Sequence, residues 1–435
     1  MFLTHLSLRR RSALIAWLVT ALGVPLGALA PAEANNVHVS HALFGVHDAS
    51  LQSRSHIHDG SVRLWDVGVQ WQDIETTPGV YNWNRLDQLV AAAQAAHESV
   101  TMVVAMTPSF YAARPTDPPG KVSHYRDFVS ALMHRYKSFH GKRGIAAYQV
   151  WNESNITTFW TGSMRQLAVL SKTMRDVGNK VDPKANIVSP AMVARLPYQL
   201  DWLKKYYRLK LNGTPVWKFY DTLGFSLYSL PTYHGRAAGP EDVMRLLGQV
   251  RSRLRKDHVA GSKPIWNTEV NYGLQTGSRG GTRAAPISHA KQASFVARTY
   301  LLNAAAGVKR VFWYRYDMGI LGSGGTIANT LLSDPNNPAV VTPAGRAFVL
   351  VQKWMHGTLE GSGSAAPCAQ DKQGTYTCVV KDSKGIRRIY WNPHRKATVQ
   401  LAANAHHAQG ILGAVSKVKG GSKLTVDYRP VMVGK

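Results

Sequence analysis

The chain predicts an α/β fold, a closed (β/α)8 barrel followed by a small antiparallel β domain. Two observations carry this expectation. Between Ala42 and Met355, apolar extended segments alternate with helical patterns about eight times, the signature of a parallel sheet with crossover helices. Beyond Met355 the rhythm changes to short alternating segments separated by Gly, Asn and Pro turns. At 435 residues and 45% hydrophobic content, there is room for one large domain and a small second one.

The first 34 residues stand apart from the fold. Arg9, Arg10 and Arg11 precede an apolar stretch from Ala13 to about Ala30, and Ala32-Glu33-Ala34 forms a small-x-small cleavage site. This reads as a signal peptide, with a mature chain from near Asn35. The alternative is an uncleaved anchor, for which the stretch is short and interrupted by Gly23 and Pro25. Arg10 to Leu14 loosely fits a twin-arginine signal. No later segment suits a bilayer span, so the expectation is a secreted, periplasmic or envelope protein with no membrane span in the mature chain.

Residues 35–355 are assigned to the barrel. Its strands are expected at Ala42–Val46, Ser61–Trp65, Val100–Met106, Ile145–Val150, Asn186–Ser189, Thr222–Leu227, Pro264–Thr268 and Arg310–Tyr314. Helices are expected at Asn84–Ala96, Tyr125–Phe139, Arg165–Val181, Leu200–Lys210, Pro240–Asp257 and Ser288–Ala306, and a last one after Thr342-Pro343 runs to Met355. A doubly wound open sheet is the fallback, but no glycine-rich dinucleotide loop follows the first strand. Residues 356–435 are assigned to a small β-sandwich-like accessory domain. Its strands are expected at Tyr376–Lys381, Arg387–Trp391, Thr398–Leu401 and Lys423–Tyr428, and the patterning around 404–421 is weak.

Only two cysteines are present, Cys368 and Cys378, ten residues apart in an expected hairpin. In an exported protein such a pair is most simply a disulfide; two free thiols are the alternative. The formal net charge of +27 becomes +25 once Arg9, Arg10, Arg11 and Glu33 leave with the signal. A basic surface of this size suits anionic partners, including acidic polysaccharide or a phosphate-bearing envelope. The Lys and Arg residues are dispersed without a nucleic-acid motif, so no nucleic acid is expected.

Two strings place carboxylates at strand ends. VWNES puts Glu153 after the fourth strand, and PIWNTEVNYG puts Glu269 at the end of the seventh. In a (β/α)8 barrel the carboxyl ends of the strands carry the active site. Two carboxyl groups facing each other are the set that cleavage of a glycosidic bond requires, one as acid and one as base or nucleophile.

These motifs resemble the clan A superfamily of retaining (β/α)8 glycoside hydrolases, with affinity to glycoside hydrolase family 39, over roughly Phe44 to Trp354. WNES resembles the superfamily's strand-four Asn-Glu pair, implying Glu153 as acid/base and Asn152 as a hydrogen bonder to the sugar. WNTEV resembles its strand-seven motif, implying Glu269 as nucleophile. WQDIETTPGVYNWNRLD, Trp71 to Asp87, is similar to the stretch after strand two. The same resemblance implies that Arg63 and Tyr228 donate to Glu269 and that Trp313 forms an apolar floor under the sugar. Ser154 stands where many relatives carry Pro, and Ser226 where many carry His, so the sugar specificity of relatives is not transferred.

His41, His47, His56 and His58 lack metal-ligand spacing, and no metal or other cofactor is expected. His47 and Asp48 end the first strand as candidate cleft residues. Tyr111, Trp160 and Tyr233 are candidate sugar platforms, with packing an equal alternative. Asn152-Glu153-Ser154 matches a glycosylation sequon by accident of position. The long loops, including Gly277–Pro286, suggest a cleft for endo action on a polysaccharide or oligosaccharide, and the basic charge admits an anionic one. The expectation is therefore an exported retaining glycoside hydrolase acting through a glycosyl-enzyme intermediate. A carbohydrate-binding protein on the same barrel and a transglycosylase are the alternatives.

Overall fold

The computed structural model describes residues 36–435 apart from 231, 234–235, 257–258, 260–262, 273–286, 318–329 and 362–365, with only the backbone of 232–233 and 236–237. The expected signal segment and the Gly277–Pro286 loop lie outside the described residues.

Eight staves form the centre: β1 (Phe44–Val46), β2 (Ser61–Leu64), β3 (Ser99–Val104), β4 (Ala147–Val150), β5 (Asn186–Val188, resuming at Met192–Val193), β6 (Leu223–Ser226), β7 (Ile265–Val270) and β8 (Arg310–Trp313). Each pairs in parallel with the next. The ring closes where β8 meets β1, Val311 opposite Phe44 and Trp313 opposite Val46. Nearly every strand residue is buried, as parallel strands covered on both faces require. The expected closed barrel is the observed one.

The crossover helices are α1 (Asn84–Ala95), α2 (Val122–Tyr136), α3 (Met164–Val181), α4 (Pro197–Arg208), α5 (Pro240–Lys256), α6 (His289–Ala305) and α7 (Pro343–Met355). Between β1 and β2 there is only the one-turn helix Ser53–His56. Their starts follow from local chemistry. Ser163 and Gln166 form a reciprocal capping box on α3, Thr342 accepts from Gly345 N on α7, and proline opens α4 and α7, where its missing N–H costs no helical bond. The helix expected over Tyr125–Phe139 is shifted toward its N-terminus, because Phe139 instead pairs with Lys142 in a tight turn. No helix among the described residues is long and apolar enough to cross a membrane.

The C-terminal sheet is antiparallel and runs Asn36–His38, Thr358–Glu360, Tyr376–Asp382, Gly385–Trp391, Val431–Gly434, His407–Gly410, Val415–Lys417. Its first member comes from the N-terminal side of the barrel, which the sequence pattern did not disclose. A two-stranded antiparallel ribbon of Ala397–Gln400 and Lys423–Val426 packs on it through Tyr390, Leu401, Val426 and Val433. Cys368 and Cys378 are disulfide-bonded, beside the short pairing of Ala369–Gln370 with Tyr376 and Thr377. Sheet and barrel share one core, which includes Leu359, Val380, Ile389 and Trp391 along with the barrel helices. Polar contacts pin the join: Glu241 of α5 pairs with Arg298 of α6 and accepts from the Trp391 indole at 3.0 Å.

At the connection from β1 to β3, Asp59 and Glu98 are buried together beside Arg54, which donates to both oxygens of Glu98. Burial, then repulsion from Glu98 and Asp48, pushes the Asp59 carboxyl well up. Burial pushes Glu98 up to about 7 against the pull of Arg54. The native state therefore keeps protons that the unfolded chain releases at about pH 4. Stability is fully expressed below that pH and falls as pH rises through the raised native values, about 7 for Glu98. Asp59→Asn should flatten this decline and stabilise the protein at pH 8 by ~1–3 kcal/mol. Urea unfolding across pH 4.5–8 reads it, and identical slopes for the two proteins would refute it.

Candidate active site

Arg63 on β2 lies inside the ring with no exposed surface. Its Nε donates to Gln149 Oε1 at 2.8 Å, Nη2 to Asn152 Oδ1 at 2.8 Å and Nη1 to Glu269 Oε1 at 2.6 Å. One guanidinium thus ties β2 to β4, to the loop after β4 and to β7. Gln149 is fixed in turn by donating to Ser189 O at 2.9 Å. Room for it exists because residue 224 is glycine: a Cβ there would sit 2.5 Å from the Gln149 amide nitrogen.

Glu269 reaches the site through an irregularity in β7. Trp266 packs inside the ring with Ala147, Val188 and Phe312, while Asn267 donates outward to Asn303 of α6. In a regular strand Glu269 shares the outward parity of Asn267. The register with β6 slips, Phe225 opposite Asn267 and Ser226 opposite Glu269, and it slips again against β8 between Asn267 and Val270. The extra residue turns Glu269 inward, the usual work of a bulge beside a functional site. There Glu269 Oε2 accepts from Tyr228 OH at 3.1 Å.

Glu153 is aimed by a different device. Trp151 and Glu153 have φ of 63° and 36°, conformations that cost non-glycine residues of order 1 kcal/mol or more and persist only where surroundings enforce them. Here Trp151 donates its indole N–H to Phe159 O at 2.6 Å and packs on Trp160. Ser154 N donates to Ala191 O, and the Asn155 amide brackets Val193, accepting from its N–H at 3.0 Å and donating to its carbonyl at 2.7 Å.

The two carboxyl groups differ in surroundings. Burial first, then the neighbouring charge of Glu269, pushes Glu153 up to about 8, against Arg195, Arg63 and the Ser226 hydroxyl. Burial and the nearby Asp66 charge push Glu269 up, but Arg63 and Tyr228 bond directly to its charged form. The first proton lost by the pair therefore leaves Glu269, and the second is held on Glu153.

Around this pair stand residues that sequence reading left out or only touched. His47, fully buried, donates from Nε2 to Thr268 O at 3.2 Å, and burial followed by the Arg63 charge holds its pKa well below the ordinary range, so it is neutral. Asp66 follows β2 and accepts from Tyr314 OH at 2.5 Å and Arg315 Nη1 at 3.2 Å. Gln149 had a signal: it is a polar residue inside the apolar run AYQV, and such a residue on a fully buried strand needs a partner. Asp66 and Tyr314 had none beyond following strand ends.

Arg63, Asn152, Glu153, Tyr228 and Glu269 are thus gathered at one end of the barrel. Trp313 ends β8 but is fully buried, its indole N–H held by Thr330 O at 2.9 Å, so the expected floor is covered in this structure. Asp48 does not face the cleft; its carboxylate accepts from Ser50, Leu51 and Ser53 N–H groups and organises the turn. Trp160 is packing, edge-on to Trp151, and Tyr111 donates to Glu75 while stacking on His124. The Tyr233 side chain lies outside the described residues. His41 bonds His58 O and Gln352, and no group of three or more His, Cys, Asp or Glu side chains suited to a metal occurs among the described residues.

No protein-family profile matches the chain, and no curated protein matches it. Solved structures do. A glucosidase from Croceicoccus marinus superposes with TM-score 0.65 at 13% identity, covering 92% of this chain and 96% of that one. A monomeric beta-xylosidase from Caulobacter crescentus gives 0.61 at 15% identity, covering 91% and 96%. The GH39 enzyme from Xanthomonas axonopodis pv. citri gives 0.60 at 13%, covering 91% and 94%. At these identities the likeness establishes the fold, and the resemblance to clan A hydrolases read from the motifs is met at that level.

Removing the cation should leave Glu269, Gln149 and Asn152 buried without their donor. Arg63→Met is expected to cost ~3–5 kcal/mol in urea unfolding at pH 7, and adding Glu269→Gln should recover part of that loss. Additive losses in the double variant would show that the ion pair is not the source.

Proposed function

We propose that this chain is an exported retaining glycoside hydrolase that cleaves O-glycosidic bonds of an extracellular or envelope polysaccharide. The observation that carries the reading is the unequal carboxyl pair: Glu269 bonded by Arg63 and Tyr228, Glu153 without a direct cationic contact and pushed up to about 8. The glucosidase and beta-xylosidase that share the fold support it.

In this mechanism Glu269 attacks the anomeric carbon while Glu153 gives its proton to the departing glycosidic oxygen. A covalent glycosyl-enzyme forms and the leaving alcohol departs neutral. Glu153, now a carboxylate, takes a proton from water, the hydroxide equivalent attacks the anomeric carbon from the vacated side, and Glu269 leaves. Arg63 and Tyr228 stabilise the charge on Glu269 as it departs, and Asn152, oriented by Arg63, donates its amide N–H groups to the sugar. Export is supported by Arg9–Arg11 with the apolar run and Ala32-Glu33-Ala34, and by the disulfide between Cys368 and Cys378.

Wild type, Glu153→Gln and Glu269→Gln should be assayed on aryl glycosides and on neutral and acidic polysaccharides, scoring reducing ends and product anomer. Expected are net retention, a loss of roughly 10²–10⁴-fold for Glu153→Gln on substrates with poor leaving groups, and near-complete loss for Glu269→Gln. Since the acid must be protonated, kcat/KM should fall on an alkaline limb near the Glu153 value of about 8. Binding without cleavage across the panel would favour a carbohydrate-binding protein, and inversion would sink the covalent route.

A further inference from the structure

We propose that the leaving-group side of the cleft recognises a sugar bearing a fixed negative charge, through Arg195 with Tyr198 as its stacking partner. This deepens the hydrolase reading and rests on it. The group that protonates the leaving oxygen marks the leaving-group side, so a side chain beside Glu153 at the mouth of the barrel reaches the departing sugar.

The backbone places Arg195 there. Val193 of β5 pairs with Ser226 of β6, and Ser226 with Glu269 of β7, so all three lie on one rung of the ring. Arg195 is two residues beyond that rung, toward the catalytic end, and the Asn155 amide clamps its stretch to the segment carrying Glu153. Arg195 is half-buried, and its charge acts on Glu153. Among the described residues it has no hydrogen bond or ion pair, whereas Arg54, Arg63, Arg143, Arg175, Arg298 and Arg315 each face a carboxylate. Three residues on, Tyr198 is 59% exposed at the first turn of α4, an open ring on the same rim.

An unpaired cation beside a general acid works against the reaction, because it favours the ionised form of Glu153. A substrate anion reverses this. A carboxylate, sulfate or phosphate bound to the guanidinium by charge-assisted hydrogen bonds cancels the cation and returns the proton to Glu153 when the substrate is in place. A sugar face on Tyr198 supplies the apolar half of the contact. The strongly basic chain, +27 overall, draws such polymers toward the cleft.

Binding is read with the Glu153→Gln protein by affinity electrophoresis in gels holding polygalacturonate, dextran sulfate, polyglycerol phosphate or neutral dextran. Each gel is run with and without Arg195→Gln, Arg195→Lys, Tyr198→Ala, or Lys137→Gln, an exposed single-charge control at the far end of α2. Expected is a loss of at least tenfold on one charged polymer for Arg195→Gln, partial rescue by lysine, a smaller loss for Tyr198→Ala, and little change for Lys137→Gln. The responding polymer identifies the anion. In the otherwise wild-type enzyme, Arg195→Gln should also move the alkaline limb on a neutral aryl glycoside upward, since it removes one of the two cations that favour ionised Glu153 and leaves Glu269, Tyr228, Arg63 and the Ser226 hydroxyl facing it. A fold control by circular dichroism accompanies each variant. Equal effects of Arg195→Gln and Lys137→Gln on every polymer, with hydrolysis intact, would overturn this inference and leave the hydrolase reading standing. Absence of hydrolysis in wild type would remove both.

Discussion

A full positive charge sealed inside the barrel organises the site. Arg63 has no route to water, and a buried cation is tolerated only with a counter-charge and filled hydrogen-bonding positions. Glu269, Gln149 and Asn152 supply these. Because they come from β7, β4 and the turn after β4, satisfying one guanidinium sets the relative height of three parts of the ring. The same requirement keeps residue 224 free of a side chain, since the amide that serves Arg63 occupies that space. The geometry of the carboxyl pair and the barrel register are here consequences of one desolvated charge.

That constraint also separates two glutamates that composition treats as equals. Both are buried, and burial alone raises both. Direct bonds to Arg63 and Tyr228 favour ionisation at Glu269, and the resulting charge raises its neighbour. Two carboxyl groups with different proton affinities therefore follow from one cation placed off-centre between them. His47 does not blur the division, because burial and Arg63 keep it neutral.

The barrel was legible because its signal is repetitive: all-buried strands of apolar residues, helices with capping residues, and carboxylates at strand ends. Arg63, Asn152, Glu153, Tyr228 and Glu269 were legible through short motifs. What stayed hidden depends on departures from regular geometry. Alternation along IWNTEV sends Trp266 and Glu269 to opposite faces, and only the slipped register brings Glu269 in. No propensity announces the positive φ of Trp151 and Glu153, which depends on contacts with Phe159, Trp160 and Ala191. Asp66, Tyr314 and Arg315 form their cluster only because β2 and β8 are both neighbours of β1 in a closed ring. The strand Asn36–His38 is polar and short, and only its partner far along the chain makes it a strand.

That last pairing bears on the site. A barrel built from one chain has a seam where its first and last staves meet, and here the seam lies between β1 and β8. His47 stands on it, with its N–H donating to Trp313 O and its carbonyl accepting from Tyr316 N–H. The segment entering β1 and the segment leaving α7 are joined directly, Asn36–His38 against Thr358–Glu360, with Val39 N–H donating to Gly357 O. The C-terminal sheet then extends from Thr358–Glu360 and shares the core of α6 and α7. Parting the seam would therefore break sheet hydrogen bonds and expose apolar surface at the same time. The small domain belongs to the support of the barrel end that holds the carboxyl pair, through β1 and β8, the two staves that lead into His47 and the partners of Asp66.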